Sequence, residues 1–278
     1  METKENIGDF LISVIVTTYN RPDALKVVLD ALSNQSDLSF EIVVADDGSK
    51  DDTKAMIETV KSSSKVAITH AWQPDEGFRV AAARNLAAKA AKGDYFLFLD
   101  GDCVPPVDWI RNQRRLAEKG WMVPGQRVLL SESFTQELLN QDQTSHDWSF
   151  RTVYQLYQQK KVNRPWPALC IGLGFLRKLN SQKWEKARTC NWGIWKDDFF
   201  AVNGFDESFE GWGHEDADLA VRLVNKGVRV KSGVFSTVVY HLWHKQESRS
   251  SVSKNWAIVK DRERTKAIFP EIGLFNEE

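Results

Sequence analysis

The chain has 278 residues, with 37 Lys and Arg against 38 Asp and Glu and a formal net charge of −1. That length allows one large or two small domains with a substantial core, and the near-neutral balance excludes bulk nucleic-acid binding as an electrostatic function. A hydrophobic share of 42% is ordinary for a globular protein, and Cys103, Cys170 and Cys190 form no C-x-x-C pair, which excludes a zinc knuckle or disulfide framework and suits a reducing cytoplasm.

In chain order, Met1 to Asp9 is polar, and Phe10 to Val16 is too short for a membrane span and has no basic segment before it, so no secretory signal is expected. Leu11 to Val16 is a β-branched run of the kind buried on both faces of a sheet. Arg21-Pro22-Asp23 opens a helix, with Pro at its first turn and apolar residues at Leu25, Val28, Leu29 and Leu32. A second strand, Phe40 to Ala45, closes on Asp46-Asp47-Gly48-Ser49, and a second helix runs from Asp51 to Lys61. Lys65 to Ala71 reads as a third strand, Arg79 to Ala91 as an alanine-rich helix, and Tyr95 to Leu99 as a fourth strand. This βαβα order predicts an α/β fold with a Rossmann-like, mainly parallel sheet and helices on both faces.

In such sheets ligands bind beyond the carboxyl ends of the strands. Thr17-Thr18-Tyr19-Asn20, Asp46-Asp47 and Asp100-Gly101-Asp102 all fall there. A lone Asp-Gly-Asp is as readily a solvated turn as a cation site. At a rigid strand end, however, two carboxylates with a glycine between them suit a hard divalent cation that also takes phosphate oxygens. A nicotinamide-binding Rossmann domain is excluded because no G-x-G-x-x-G follows the first strand, and Gly172-Leu173-Gly174 has Arg177 where the third glycine belongs.

The character changes near residue 125. Residues 131 to 188 read as largely helical and polar, with an apolar break from Pro165 to Leu176, and nine of the 11 tryptophans lie from Trp121 onward. After the break come Arg177, Lys178, Lys183, Lys186 and Arg188. They read either as the solvated basic side of a core-facing helix or as a peripheral contact with an anionic membrane. Further on, Gly211 and Gly213 flank Trp212, and Glu215-Asp216 opens a helix over Ala217 to Asn225 that ends at Gly227. Acids at a helix start are often only caps or dipole partners. Here a tryptophan three and four residues ahead of them could stack on a sugar while a carboxylate reaches a hydroxyl. Further on, Val238-Val239-Tyr240-His241-Leu242-Trp243-His244 offers two histidines, His241 and His244.

Ser13 to Arg21, Asp46-Asp47-Gly48-Ser49, Ala83-Arg84-Asn85 and Leu99-Asp100-Gly101-Asp102 together resemble family 2 glycosyltransferases of GT-A fold. Gly204-Phe205-Asp206 through Gly211-Trp212-Gly213-His214-Glu215-Asp216 resembles galactosyltransferases and chondroitin-type polymerases. The resemblance implies one continuous GT-A domain, with a nucleotide-sugar half over 1–124 and an acceptor and catalytic-base half over 125–278. It implies that Thr17, Tyr19 and Asp47 hold the uracil and ribose of a UDP-sugar and that Arg79 and Arg84 face the diphosphate or donor sugar. Asp102 would bind Mn²⁺ or Mg²⁺, Asp100 the ribose or the metal through water, and His241, with His244 as the alternative, would complete the metal site. Asp216 would be the catalytic base, with Glu215 and Trp212 contacting a saccharide or lipid-linked acceptor. His214 stands where the resembling galactosyltransferases commonly carry glycine. The expected activity is an inverting transfer in bacterial surface-polysaccharide synthesis, in the cytoplasm or at the inner face of the membrane. A non-catalytic saccharide-binding module and a sugar nucleotidyltransferase are the competing classes; the first leaves the acids unexplained, and the second usually wants a basic glycine-rich loop after the first strand.

Overall fold

A computed structural model describes residues 10–140, 148–209, 211, 213–245 and 252–275. It begins with β1 (Ile12–Thr18), α1 (Pro22–Ser33), β2 (Phe40–Asp46), α2 (Asp51–Ser63), β3 (Ile68–Trp72), α3 (Val80–Ala90) and β4 (Tyr95–Asp100). Then come β5 (Cys103–Val104), α4 (Trp109–Leu116), β6 (Trp121–Pro124), β7 (Gln126–Leu129), α5 (Glu132–Leu139) and α6 (Phe150–Gln158). The chain continues through β8 (Asn191–Trp195), α7 (Lys196–Ala201), α8 (Glu215–Lys226), β9 (Arg229–Val230), β10 (Val238–His241) and α9 (Val252–Thr265).

The strands build a large sheet in the order β3-β2-β1-β4-β8-β6-β9 and a small one in the order β5-β10-β7. β1 to β4 are mutually parallel, and β8 runs antiparallel between β4 and β6. Side-chain alternation explains the layers. Val14, Val16, Ile42, Val44, Leu97 and Leu99 enter one apolar layer, which also packs Leu25, Val28, Leu29 and Leu32 of α1. Their alternates Ile15, Val43, Ala45, Phe96 and Phe98 enter the other, which packs α3, α7 and α8. A strand buried on both faces has no polar positions, which is why these runs read as continuously apolar.

Two expectations needed revision. The third strand begins at Ile68 rather than Lys65. More substantially, the described part of residues 131 to 188 is not largely α-helical: after α6 the chain passes through short 3-10 turns at Trp166–Ala168, Gly174–Lys178 and Trp184–Lys186. Pro165, Pro167, Gly172 and Gly174 account for this, because each weakens or blocks a continuous helix. The basic segment is therefore not the polar side of a helix. Arg177 is buried and points inward, donating from Nη1 to the carbonyls of Ser232 and Val234 (2.8 and 2.7 Å) and from Nη2 to that of Ile171 (3.0 Å).

On the inner face of α8, Asp218 and Arg222 are fully buried, paired at 2.7 Å, and the guanidinium also reaches the carbonyls of Val202 and Gly204. Asn85 exchanges hydrogen bonds with the Phe205 backbone, and Asp206 accepts from the backbone of Ser208, Glu271 and Ile272. The Ala83-Arg84-Asn85 and Gly204-Phe205-Asp206 motifs are thus joined: one side chain of the first staples the loop that leads into α8.

Candidate active site

The register pairs Thr17 with Asp100 and Thr18 with Asp46, so three parallel strands end in one row. Gly101 follows at the point of closest approach. Its N–H donates to the Thr17 carbonyl at 2.7 Å, and a Cβ there would lie 2.6 Å from that oxygen, so only glycine fits.

On the β2 side, Asp46 accepts from the Ser49 N–H and pairs with His70 Nε2, both at 2.8 Å, which fixes the turn after the strand. Asp47 is buried and accepts from Gln73 Nε2 at 2.6 Å and from the Arg79 N–H at 2.8 Å. Burial pushes its carboxyl up, with those two donors opposing. Each oxygen keeps a further lone pair for a ligand. Tyr19 stands exposed, its hydroxyl donating to Asp75 Oδ2 at 3.0 Å, a bond that raises the phenol. The Arg79 guanidinium pairs with Glu76.

Arg84 is the hub. It is 4% exposed and donates from Nε to Thr17 Oγ1 (3.1 Å), from Nη2 to Asp100 Oδ1 (3.2 Å) and from Nη1 to Glu215 Oε1 (2.9 Å). One guanidinium therefore ties the ends of β1 and β4 to the start of α8. The resemblance implies that Arg84 faces the diphosphate or donor sugar; in the fold its three nitrogens each bond to a protein oxygen.

Asp102 lies beside the hub. Its carbonyl accepts the Leu242 N–H at 2.8 Å, and Cys103 pairs with His241 in the β5–β10 ladder. The Asp102 Oδ2 atom is 3.6 Å from His241 Nε2 and 3.4 Å from His244 Nε2, and one ligand atom from each of the three residues lies within 4.8 Å of the others. The Nδ1 of His244 faces the Lys245 carbonyl at 2.9 Å, which orients the ring. Burial pushes His241 down, against the pull of Asp102, which favours the neutral form that can act as a ligand. Asp100, Asp102 and Cys103 form a second such group. Burial drives the Cys103 thiol well up, which leaves the carboxylate and imidazoles as the available donors. One carboxylate and two imidazoles fit a divalent cation of intermediate hardness, Mn²⁺ more readily than Mg²⁺.

On the far side of Arg84, α8 opens with Glu215 and Asp216 in its first turn. Burial and the neighbouring Glu215 push the Asp216 carboxyl up to about 6, with Arg188 (Nε to Oδ2, 4.0 Å) and Arg84 opposing. His214 sits at φ 76, in the left-handed region that glycine adopts most readily. Histidine is among the residues that tolerate it. α9 supports the turn: Asn255 donates to the Gly213 carbonyl at 2.8 Å, and the His214 ring lies 4.9 Å from that of Trp256. Trp212 lies outside the described residues.

Sequence reading did not assign Arg188 or Arg127 to the site. Arg188 reads in the sequence as one of a run of basic residues, and Arg127, which lies near enough to Asp100 and His241 to oppose the one's rise and add to the other's fall, is on β7, whose pairing with β10 has no local signal. Gln73 and Asp75, which hold Asp47 and Tyr19, were equally silent.

The architecture is that of GT-A glycosyltransferases. The mannosyltransferase PcManGT from Pyrobaculum calidifontis, solved with GDP-Man and Mn²⁺, superposes with a TM-score of 0.58 at 19% identity, covering 93% of this chain and 63% of that one. S. aureus TarS, solved with UDP-GlcNAc, gives 0.62 at 17% identity, covering 92% and 69%. The model for glycosyl transferase family 2 matches residues 13–179, and one described as the N-terminal domain of galactosyltransferase matches 177–245. The chain belongs to glycosyl transferase family 2. Among curated relatives, the validoxylamine A glucosyltransferase of Streptomyces hygroscopicus is 31% identical over 78% of this chain and 52% of its own length. Chondroitin synthase of Escherichia coli is 27% identical over 83% of this chain and 34% of its own. The chain thus spans about half, or less, of the length of these curated relatives.

Proposed function

We propose that this chain transfers a sugar from a UDP-sugar to a saccharide or lipid-linked acceptor by one inverting displacement that depends on a divalent cation. The observation that carries the reading is the Arg84 bridge, because Asp100 on the nucleotide side and Glu215 on the acceptor side bond to one guanidinium. That spacing suits a reaction in which a leaving group and an attacking hydroxyl meet at one carbon.

In this reading Thr17, Tyr19 and Asp47 bind the nucleoside, with Asp47 accepting the uracil N–H. Arg79 faces the diphosphate or donor sugar, and Asp100 stands by the ribose. Asp102 with His241 and His244 would hold Mn²⁺ or Mg²⁺, which would neutralise the departing diphosphate. Asp216 takes the proton of the acceptor hydroxyl as it attacks. A carboxyl near 6 is ionised at neutral pH yet more basic than an ordinary aspartate, which suits it to that task. Glu215, held by Arg84, and Trp212 contact the acceptor. Arg84 acts mainly as a positioning residue that fixes Asp100 and Glu215 relative to each other.

Support for a lipid-linked acceptor comes from a curated relative over 39% of this chain, the Escherichia coli UDP-Glc:alpha-D-GlcNAc-diphosphoundecaprenol beta-1,3-glucosyltransferase WfaP, 34% identical. The deciding experiment incubates the protein with a panel of nucleotide sugars, with Mn²⁺ and with chelator, and follows UDP release and product stereochemistry. The expected result is cation-dependent UDP release and a β-linked product from an α-linked donor. A retained α configuration would overturn the single displacement.

A further inference from the structure

We infer that the 3-10 turn Gly174–Lys178 and its flanks form a docking wedge for an anionic lipid surface. The first observation is how the turn is held. Arg177 is buried, and its guanidinium is bonded to the carbonyls of Ile171, Ser232 and Val234 and to Ser236 Oγ. With about three residues per turn, residues three apart share an edge. Anchoring the edge that carries Gly174 and Arg177 therefore turns the other two outward. One carries Phe175 and Lys178, the other Leu176 and Leu179.

The second observation is what those edges expose. Phe175 is 79% exposed, Leu179 58% and Leu176 47%, with Ile171 and Trp166 also exposed nearby in sequence. An anchored turn that presents large apolar side chains to water is a liability unless something covers them. α6 adds exposed aromatic side chains at Tyr154 and Tyr157.

Charge names the partner. Residues 148–189 hold nine basic residues and one acid, Glu185, in a chain whose net charge is −1. Arg151, Lys160, Lys183 and Lys186 are exposed and form no ion pair among the described residues. Aliphatic and aromatic tips surrounded by unneutralised lysine and arginine match an acyl boundary beneath anionic headgroups. Among the described residues no helix is long and apolar enough to cross a membrane. The same segment ends at Arg188, 4.0 Å from Asp216. This deepens the proposal of a lipid-linked acceptor, although vesicle binding can be tested without any transfer reaction.

The test is co-sedimentation of the whole chain with phosphatidylglycerol or phosphatidylcholine vesicles, without donor. In parallel, an environment-sensitive fluorophore is placed on Cys170, the exposed cysteine beside the wedge. Binding to anionic vesicles that weakens with salt, with a blue-shifted Cys170 probe, supports the wedge. The double variant Phe175→Glu/Leu179→Glu and the charge variant Lys183→Glu/Lys186→Glu should each lose at least ~10-fold in vesicle affinity. Both should keep the wild-type rate of UDP release with a soluble acceptor, which separates this inference from the catalytic one. Three results would overturn it: no binding to anionic vesicles, variants that bind like wild type, or a wild-type dimer that Phe175→Glu/Leu179→Glu converts to monomer.

Discussion

Residues 12 to 104 and residues 159 to 190 maintain their shape in opposite ways. In the first, the β1 to β4 ladders satisfy the backbone, and two apolar layers distribute the energy over dozens of side chains. In the second, repeating structure is sparse, and a few polar side chains satisfy the loops one by one. Arg177 alone serves the carbonyls of Ile171, Ser232 and Val234 and the Ser236 hydroxyl. A distributed core degrades gradually under substitution, whereas a stapled loop depends on its staples. The candidate site lies where the two styles meet, with Asp100 and Asp102 on the first and Arg188 on the second.

The largest effect should come from the ladder-built side. Asp102→Ala is expected to lower turnover by at least ~10³-fold and to abolish cation-dependent UDP binding, measured by calorimetry with and without Mn²⁺. Unchanged UDP binding would remove Asp102 from the cation site. Across the bridge, Asp216→Asn should cost ~10²- to 10⁴-fold in rate while leaving donor affinity near wild type. It should also raise stability at pH 7 to 8 by ~1 to 3 kcal/mol. The folded carboxyl is raised to about 6 from its ordinary value, so holding it ionised costs stability above that pH. The gain should fade as pH falls below 6, and thermal melts at pH 8 and pH 4 give the check. Substantial transfer by this variant would exclude Asp216 as the base.

Arg84→Met cuts the bridge itself. It leaves Glu215 and Asp100 without their counter-charge and should destabilise the fold by about 3 kcal/mol, read by urea titration. A loss smaller than ~1 kcal/mol would mean that the two regions are not coupled through this residue. Arg177→Met sharpens the contrast between styles, with an expected cost of about 2 kcal/mol from the orphaned carbonyls. Hydrogen exchange should speed up in 171–179 and 232–236 and stay unchanged in β1 to β4. The smallest effect is a pH shift. Turnover should decline as pH drops through about 6, and Arg188→Gln should move that limb upward, because one of the charges holding Asp216 down is gone. A limb that stays in place would exclude Arg188 as a modulator.

The same contrast explains what was legible in the sequence. Strands buried on both faces and helices opened by Pro22 or ended by Gly227 carry local signals, and they were recovered to within a few residues. The strand-end cluster of Thr17, Asp46, Asp47, Asp100 and Asp102 followed from topology. What the residues alone could not convey was long-range bonding. Arg84 read as a ligand residue because nothing near it in sequence shows that Glu215 lies 2.9 Å away. Arg177 read as surface charge because the carbonyls that bury it come from residues 171 and 232 to 236. His241 and His244 could be nominated as histidines near an acid, but their approach to Asp102 depends on the β5–β10 pairing, which has no local signature.

That pairing has a consequence for how the molecule is made. β10 is the middle strand of its sheet, between β5 and β7. During synthesis the β1 to β4 ladders can form once β4 emerges, because they need nothing beyond residue 100. The small sheet cannot form until residue 241 has left the ribosome, more than a hundred residues after Asp102. Until then β5 and β7 are two unjoined edges and Asp102 faces water without its histidines. The candidate cation site is therefore assembled late, and β10, the strand that carries His241, covers one edge of β5 and one of β7 when it arrives.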